Sequence, residues 1–245
     1  AAVVSIASDD ADEDPYVFAI RGTGIAPAMT VEGNSNTIDN GDDTPSLADH
    51  TDFWMVLAAS GTVVRTFAIR NTGTAPLHLD GIPKVKIEGP NAAEFAVTAQ
   101  PTGTVAAGDS APFEITFDPA AIGLRTATVS IANDDPDDDP YVFSIQGRGT
   151  QPEIDVQGNS NTIDDGDSTP SLSDHTDFGP ALFVGGRVAR TFTIRNLGLA
   201  PLHLTGSPRV SIGGISPGDF SVTVQPTDTV TAVGTTTFEV TFDPT

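Results

Sequence analysis

Cysteine is absent from the 245 residues, which excludes disulfides and thiolate metal sites and leaves stability to packing or to bound ions. Redox chemistry therefore does not fix the compartment. Basic residues are scarce: 11 Lys and Arg against 33 Asp and Glu give a formal charge of −22. A nucleic-acid backbone or an anionic membrane is repelled by such a chain, and cations are its natural counterparts. No run of about 18 apolar residues exists, so no segment is expected to insert into a membrane as a helix. Also missing are a Walker A loop, a dinucleotide fingerprint, a basic aromatic patch, a nucleophile elbow and any Asn-x-Ser/Thr site, which leaves enzyme, nucleotide-binding and nucleic-acid functions without support. The chain opens at Ala1 with neither a start methionine nor a signal peptide, as expected of a mature region or an excerpt.

What is present is a repeat. Val31-Glu32-Gly33-Asn34-Ser35-Asn36-Thr37-Ile38-Asp39 returns as Val156-Gln157-Gly158-Asn159-Ser160-Asn161-Thr162-Ile163-Asp164, 125 residues later. His50-Thr51-Asp52-Phe53, Ala75-Pro76-Leu77-His78-Leu79 and Phe117-Asp118-Pro119 recur at the same offset, with no insertion between the copies. Tandem copying of a domain-sized unit points to a structural or binding role.

Turn residues are abundant, with 24 Gly and 19 Pro, and no long segment has helical periodicity. Arg65-Thr66-Phe67-Ala68-Ile69-Arg70-Asn71 alternates apolar and polar residues and ends in a turn, as do its copy Arg190–Asn196 and the runs carrying Phe113, Ile115 and Phe117. About seven or eight short strands per unit predict an all-β protein of tandem immunoglobulin-like antiparallel sandwiches. Phe67, Ile69, Phe113, Ile115, Phe117, Val129, Ile131, Phe143 and Ile145 should face inward. Residues 25–149 are expected to form a complete repeat and 150–245 a second one lacking its last two strands. Residues 1–24 match 126–149, so they are expected to be the last two strands, a hairpin, of a preceding or partner repeat. Such ends invite pairing with another chain, either head-to-tail by strand complementation or as neighbouring repeats of a longer covalent array.

The runs Pro152-Glu153-Ile154-Asp155-Val156, Thr176-Asp177-Phe178-Gly179, Arg190-Thr191-Phe192-Thr193-Ile194-Arg195-Asn196 and Phe238-Glu239-Val240-Thr241-Phe242-Asp243-Pro244, with Thr128-Val129-Ser130-Ile131-Ala132-Asn133-Asp134-Asp135, together resemble the bacterial choice-of-anchor D repeat. That repeat belongs with the ASPM, SPD-2 and Hydin (ASH-like) immunoglobulin-type domains. The resemblance implies a β-sandwich of multi-repeat surface or secreted bacterial proteins and no enzymatic activity. The first full unit departs from the second at Phe53-Trp54-Met55-Val56, where the other has Phe178-Gly179-Pro180-Ala181. Trp54 is read either as a contact residue or as a ring packed over its own loop.

The candidate site residues are acidic. Asp9, Asp10, Asp12, Glu13 and Asp14 recur as Asp134, Asp135, Asp137, Asp138 and Asp139 in a hairpin loop. Crowded carboxylates repel one another, which a hard cation such as Ca²⁺ relieves by taking oxygen ligands; a solvated acidic turn is the alternative. A second set, Asp39, Asp42, Asp43, Asp49 and Asp52, returns as Asp164, Asp167, Asp174 and Asp177, with Ser168 at the place of Asp43 and Asp165 at that of Asn40. The long segment holding it should fold against the sandwich edge or hold an ion. His50 beside Ser46, Asp49 and Asp52 is not read as a triad, because no oxyanion-hole motif accompanies it. His78 and His203, in Leu-His-Leu stretches, are read as solvent-facing.

The expected function is a structural module of a bacterial extracellular fibre, filament or surface stalk. The alternatives are a Ca²⁺-dependent adhesin or glycan-binding module and a spacer beside an enzyme domain.

Overall fold

The computed structural model describes residues 1–183 and 185–244. Apart from two 3-10 turns, Ala92–Glu94 and Pro217–Asp219, its regular structure is strand, and it has the predicted all-β, immunoglobulin-like character. An N-terminal pair, β1 (Ala2–Ile6) and β2 (Tyr16–Ile20), forms a two-stranded antiparallel sheet of its own. The next strands are β3 (Met29–Gly33), β4 (Asn36–Ile38), β5 (Asp52–Leu57), β6 (Val63–Asn71), β7 (Leu77–His78), β8 (Val85–Glu88), β9 (Phe95–Ala99), β10 (Thr104–Val105), β11 (Ser110–Phe117), β12 (Gly123–Ile131) and β13 (Tyr141–Thr150). They make a five-stranded sheet in the order β4-β3-β6-β11-β9, a four-stranded sheet β5-β13-β12-β8 and a small ribbon, β10 with β7.

Alternation along these strands creates the core. Phe67, Ile69, Phe113, Ile115 and Phe117 are buried, and so are Val129, Ile131, Phe143 and Ile145 from the other sheet. The rings interlock: Phe67 stacks on Phe113 at 5.3 Å between centroids, Phe95 on Phe117 at 4.6 Å, and Phe143 lies 6.0 Å from Phe67. Buried aromatic pairs of this kind contribute about 0.5–1.5 kcal/mol beyond their area burial.

The remaining strands are β14 (Ile154–Gly158), β15 (Asn161–Ile163), β16 (Val188–Asn196), β17 (Leu202–His203), β18 (Phe220–Val224), β19 (Thr229–Val230) and β20 (Thr235–Phe242). Their boundaries are those of β3, β4, β6, β7, β9, β10 and β11 shifted by 125 residues. They form the sheet β15-β14-β16-β20-β18 and the ribbon β17-β19. Among the described residues no second sheet accompanies them. The counterparts of β5 and β8, residues 177–182 and 210–213, are not strands. Phe192, Ile194 and Val240 are buried as their counterparts are, whereas Phe238 and Phe242 are only half-buried. The expectation that matching residues take matching places thus holds for part of this core.

By contacts the chain divides into two compact units, one of residues 1–53, 64–117 and 126–146, the other of residues 54–63, 118–125 and 147 onward. In each repeat a buried asparagine fixes the turn after the long central strand. Asn71 donates to the carbonyls of Ala75 (2.7 Å) and Val105 (3.0 Å) and accepts from the amides of Ala28 and Gly73. Asn196 does the same with Ala200, Val230, Glu153 and Gly198. Glycine is required at Gly33 and Gly158, where a Cβ would run into the carbonyls of Asp49 and Asp174; the acidic segment lies directly on the strand there.

Candidate functional site: the acidic hairpin and its seat

The loop between β12 and β13 turns its carboxylates back onto backbone amides. Asp135, 4% exposed, accepts from the amide of Met29 at 2.7 Å and from that of Asp137 at 3.1 Å. Asp134 accepts from the His78 amide at 2.7 Å and meets His78 Nδ1 at 2.7 Å. Asp139 accepts from the Asn133 amide, and Asp138 from the side chain of Asn40. Desolvation, the largest single influence, pushes the Asp134 carboxyl up, but the two hydrogen bonds from His78, its charge and the backbone amide of Asp134 together outweigh it and leave the pKa lowered. His78, read as solvent-facing, is half-exposed and nonetheless tied to this loop.

The segment following β4 folds against the sandwich edge, the first of the two outcomes expected for it. Gly41 donates to the carbonyl of Val142 at 2.7 Å, and Ser144 donates to that of Asp42 at 2.8 Å, so this segment runs beside β13 as an extra parallel bridge between Asp42 and Phe143. Asp42 caps Thr44 and Asp167 caps Thr169 in the same way. The hydroxyl and amide of Thr169 hold the Asp167 carboxyl below its usual value. Asp49 and Asp174 bind Thr51 and Thr176. Asp39 and Asp164 lie on the same segments, and Asp12 and Glu13 are exposed at the tip of the first hairpin. Among the described residues, no three His, Asp or Glu side chains converge so as to hold a metal ion.

Taken together, these contacts form a seat for a hairpin. Besides the Asp135 and Asp134 contacts, the Tyr141 hydroxyl donates to the carbonyl of Ile38 at 2.5 Å; burial pushes its pKa up to about 12. Asn40 accepts from the Val142 amide. Leu79 bridges Asn133, flanked by bonds from Asp80 to Ala132 and from Asp134 to His78. Along the other edge Val129 faces Ile87 and Ile131 faces Val85.

The first hairpin carries the same residues in the open. Tyr16, Phe18 and Ile20 are 53%, 44% and 48% exposed, whereas Tyr141, Phe143 and Ile145 are at most 2% exposed. Its loop is nevertheless formed as in the second hairpin, since the Ser8 amide donates to Asp14 at 2.9 Å as Asn133 does to Asp139.

Trp54 is 53% exposed in a left-handed backbone conformation (φ 63°), rather than packed away. Sequence reasoning did not foresee four buried polar atoms: Nδ1 of His50 and Nε of Arg65 are buried without hydrogen-bond partners, as are those of His175 and Arg190. Their recurrence at the 125-residue offset was the available signal.

Residues 47–148 match the family described as HYDIN/CFA65/VesB-like, Ig-like domain. That match lies within the central repeat and covers less than half of the chain. Among solved structures, the ASH/PapD-like domain 7 of human CEP192 is 14% identical, covering 42% of this chain and 84% of that one with a TM-score of 0.31. The VesB protease of Vibrio cholerae is 17% identical, with 40% of this chain and 29% of that one covered and a TM-score of 0.32. The secreted serine protease VesC of the same organism is 12% identical, with 78% and 45% covered and a TM-score of 0.34. The chain thus spans less than half the length of either protease, and the proteolytic activity is theirs. No curated protein matches the chain. No helix in the described residues is long and apolar enough to cross a membrane.

Proposed function

We propose that this chain is a non-enzymatic structural module, a stretch of tandem immunoglobulin-like repeats in a bacterial extracellular fibre, filament or surface stalk. The observation that carries the reading is the repeat itself, with seven strands of one unit recurring at the same boundaries in the next. A fixed offset makes each unit add a constant increment of length. Units would join end to end, through strand complementation or within a longer covalent array. An extracellular setting agrees with the resemblance to choice-of-anchor D repeats, and the charge of −22 keeps such units from collapsing on one another. Electron micrographs of the native material test the reading: linear polymers or stalks support it, and isolated compact particles overturn it.

One observation favours a binding role as a second reading. Trp54, Met55 and Leu57 are 53%, 41% and 41% exposed on one strand, and exposed aromatics serve glycan and protein contacts. The second repeat has Gly179 where the first has Trp54, so any such site belongs to the central repeat alone. A glycan array probed with and without Ca²⁺ distinguishes the two readings, because the adhesin requires a bound glycan that Trp54→Ala abolishes.

A further inference from the structure

We propose that Asn40-Gly41 is a deamidation site that the seated β12-β13 hairpin holds shut, and that its conversion to aspartate or isoaspartate keeps a repeat that has once opened from closing fully again.

The chemistry starts from the sequence. Asn40-Gly41 is the one Asn-Gly step in the 245 residues. Among asparagine steps this one closes most readily to a succinimide, because glycine has no Cβ to obstruct its own backbone nitrogen. That nitrogen, deprotonated by solvent hydroxide, attacks Cγ of the asparagine. The new N–Cγ bond forms as the Cγ–Nδ2 bond breaks, and the side-chain nitrogen leaves as ammonia with a proton equivalent to the one Gly41 gave up. Water then opens the ring, at Cγ to give aspartate or at the main-chain carbonyl to give isoaspartate. Solvent is the sole co-reactant, and both residues are exposed to it.

The turn itself tolerates the product. Residues 39–42 are closed by the Asp42 amide on the Asp39 carbonyl at 3.1 Å, with Gly41 at φ 84°, as at the third position of a type II turn. Nothing lies within 4 Å of where a Gly41 Cβ would sit. The second repeat builds the same turn over residues 164–167, closed at 3.0 Å with Gly166 at φ 80°, and has Asp165 where the first has Asn40.

What restrains Asn40 is the hairpin. Val142 of β13 grips the dipeptide twice: its carbonyl accepts from the Gly41 amide at 2.7 Å, and its amide donates to Asn40 Oδ1 at 2.8 Å. Asn40 Nδ2 donates to Asp138 Oδ1 at 3.0 Å. The attacking nitrogen therefore has its proton engaged, and the side-chain amide is fixed from both ends, so that Cγ cannot turn toward it. All three bonds end on residues 138–142 and are released together when the hairpin lifts. The Tyr141 hydroxyl, which bonds the Ile38 carbonyl, belongs to the same stretch, so seating the hairpin and protecting Asn40 are one event.

The product does not fit the closed seat. Aspartate at position 40 still accepts from the Val142 amide but offers Asp138 a second carboxylate in place of a donor, a like-charge contact at hydrogen-bond distance. Isoaspartate lengthens the main chain by a methylene between residues 40 and 41 and displaces the Gly41 amide from the Val142 carbonyl. Opening followed by reaction is therefore one-way, and it leaves a chemical record in the repeat that opened.

Peptide mapping by mass spectrometry of the 245-residue chain, held in mildly alkaline buffer with and without denaturant, follows loss of the Asn40 amide, with Asn34 and Asn159 as internal references. Conversion at Asn40 should be about a hundredfold slower in the folded chain than in the denatured one. Tyr141→Phe, which removes one seat bond and leaves residues 40 and 41 untouched, should speed conversion at Asn40 about five- to tenfold and leave Asn34 and Asn159 unchanged. Hydrogen exchange reads the other half of the proposal. Asn40→Asp should speed exchange of the Gly41 amide and of the Ser144 amide, which donates to Asp42, by about tenfold, and adding Asp138→Asn should restore protection by returning a donor to the pair. Equal conversion with and without denaturant overturns the proposal, as does a Tyr141→Phe rate at Asn40 that is unchanged or matched at Asn34. Exchange that Asn40→Asp leaves unchanged, or that Asp138→Asn fails to restore, overturns it as well.

Discussion

Two hairpins of nearly the same sequence behave differently in this chain. At residues 126–149 the apolar face is sealed against a five-stranded sheet; at residues 1–24 the same face is open to solvent. Local sequence accounts for the hairpin itself, since both have the same loop bond from Ser8 or Asn133 to an aspartate. What the second sheet adds is burial and edge pairing, and only where it is present do the flanking segments become β5 and β8. The immunoglobulin-like sandwich is thus a cooperative object in which β12 sustains β8 by pairing with it.

The comparison breaks most sharply at Phe143 and Phe18. Phe143→Ala should destabilise the central repeat by about 3–5 kcal/mol in denaturant unfolding, whereas Phe18→Ala in the dilute chain should change stability by no more than about 0.5 kcal/mol. Equal costs would mean that β1-β2 is already packed in the free chain. Next in size is Asn71→Ala, which leaves two carbonyls and two amides without their partner; a loss of about 2–3 kcal/mol is expected, and Asn196→Ala should cost a similar amount. Thermal melts of the two variants check this.

The ionisable groups give a smaller effect and a sign. Asp134 has a lowered pKa when folded, so its contribution is present above the unfolded carboxyl value, about 3.9, and is lost as pH falls through the folded one. Tyr141 has a raised pKa, about 12 against the ordinary 10.0 of a phenol; its contribution is present below 10 and is lost as pH rises toward 12. Tyr141→Phe should abolish the alkaline decline, and a persisting decline would assign it elsewhere. Millimolar Ca²⁺ should have the smallest effect on melting, because the carboxylates of Asp134, Asp135 and Asp139 already hold backbone amides. A rise in melting temperature reversed by chelator is the outcome that the calcium reading requires.

Much of this was legible in sequence. Alternation at Phe67 and Ile69 gave a buried face, and the offset of 125 carried that assignment to Phe192 and Ile194. The state of residues 210–213 was not legible, because strand formation there depends on a partner rather than on its own Val and Ile. Residues 177–182 had a local warning in Gly179-Pro180, since proline cannot donate within a sheet. The acidic runs were visible as runs, but composition does not say whether a carboxylate turns toward an ion or toward its own backbone. The Asp135 to Met29 bond joins residues 106 apart, a distance over which no local pattern acts.

Hydrogen exchange of the 245-residue chain and of its Phe143→Asp variant tests most directly the claim that the β12-β13 hairpin sustains the second sheet. In the variant, amides of residues 85–88 should lose protection together with those of 127–131 and 141–145, while those of 188–196 and 235–242 stay protected. Protection at 85–88 that survives its loss at 127–131 would contradict it.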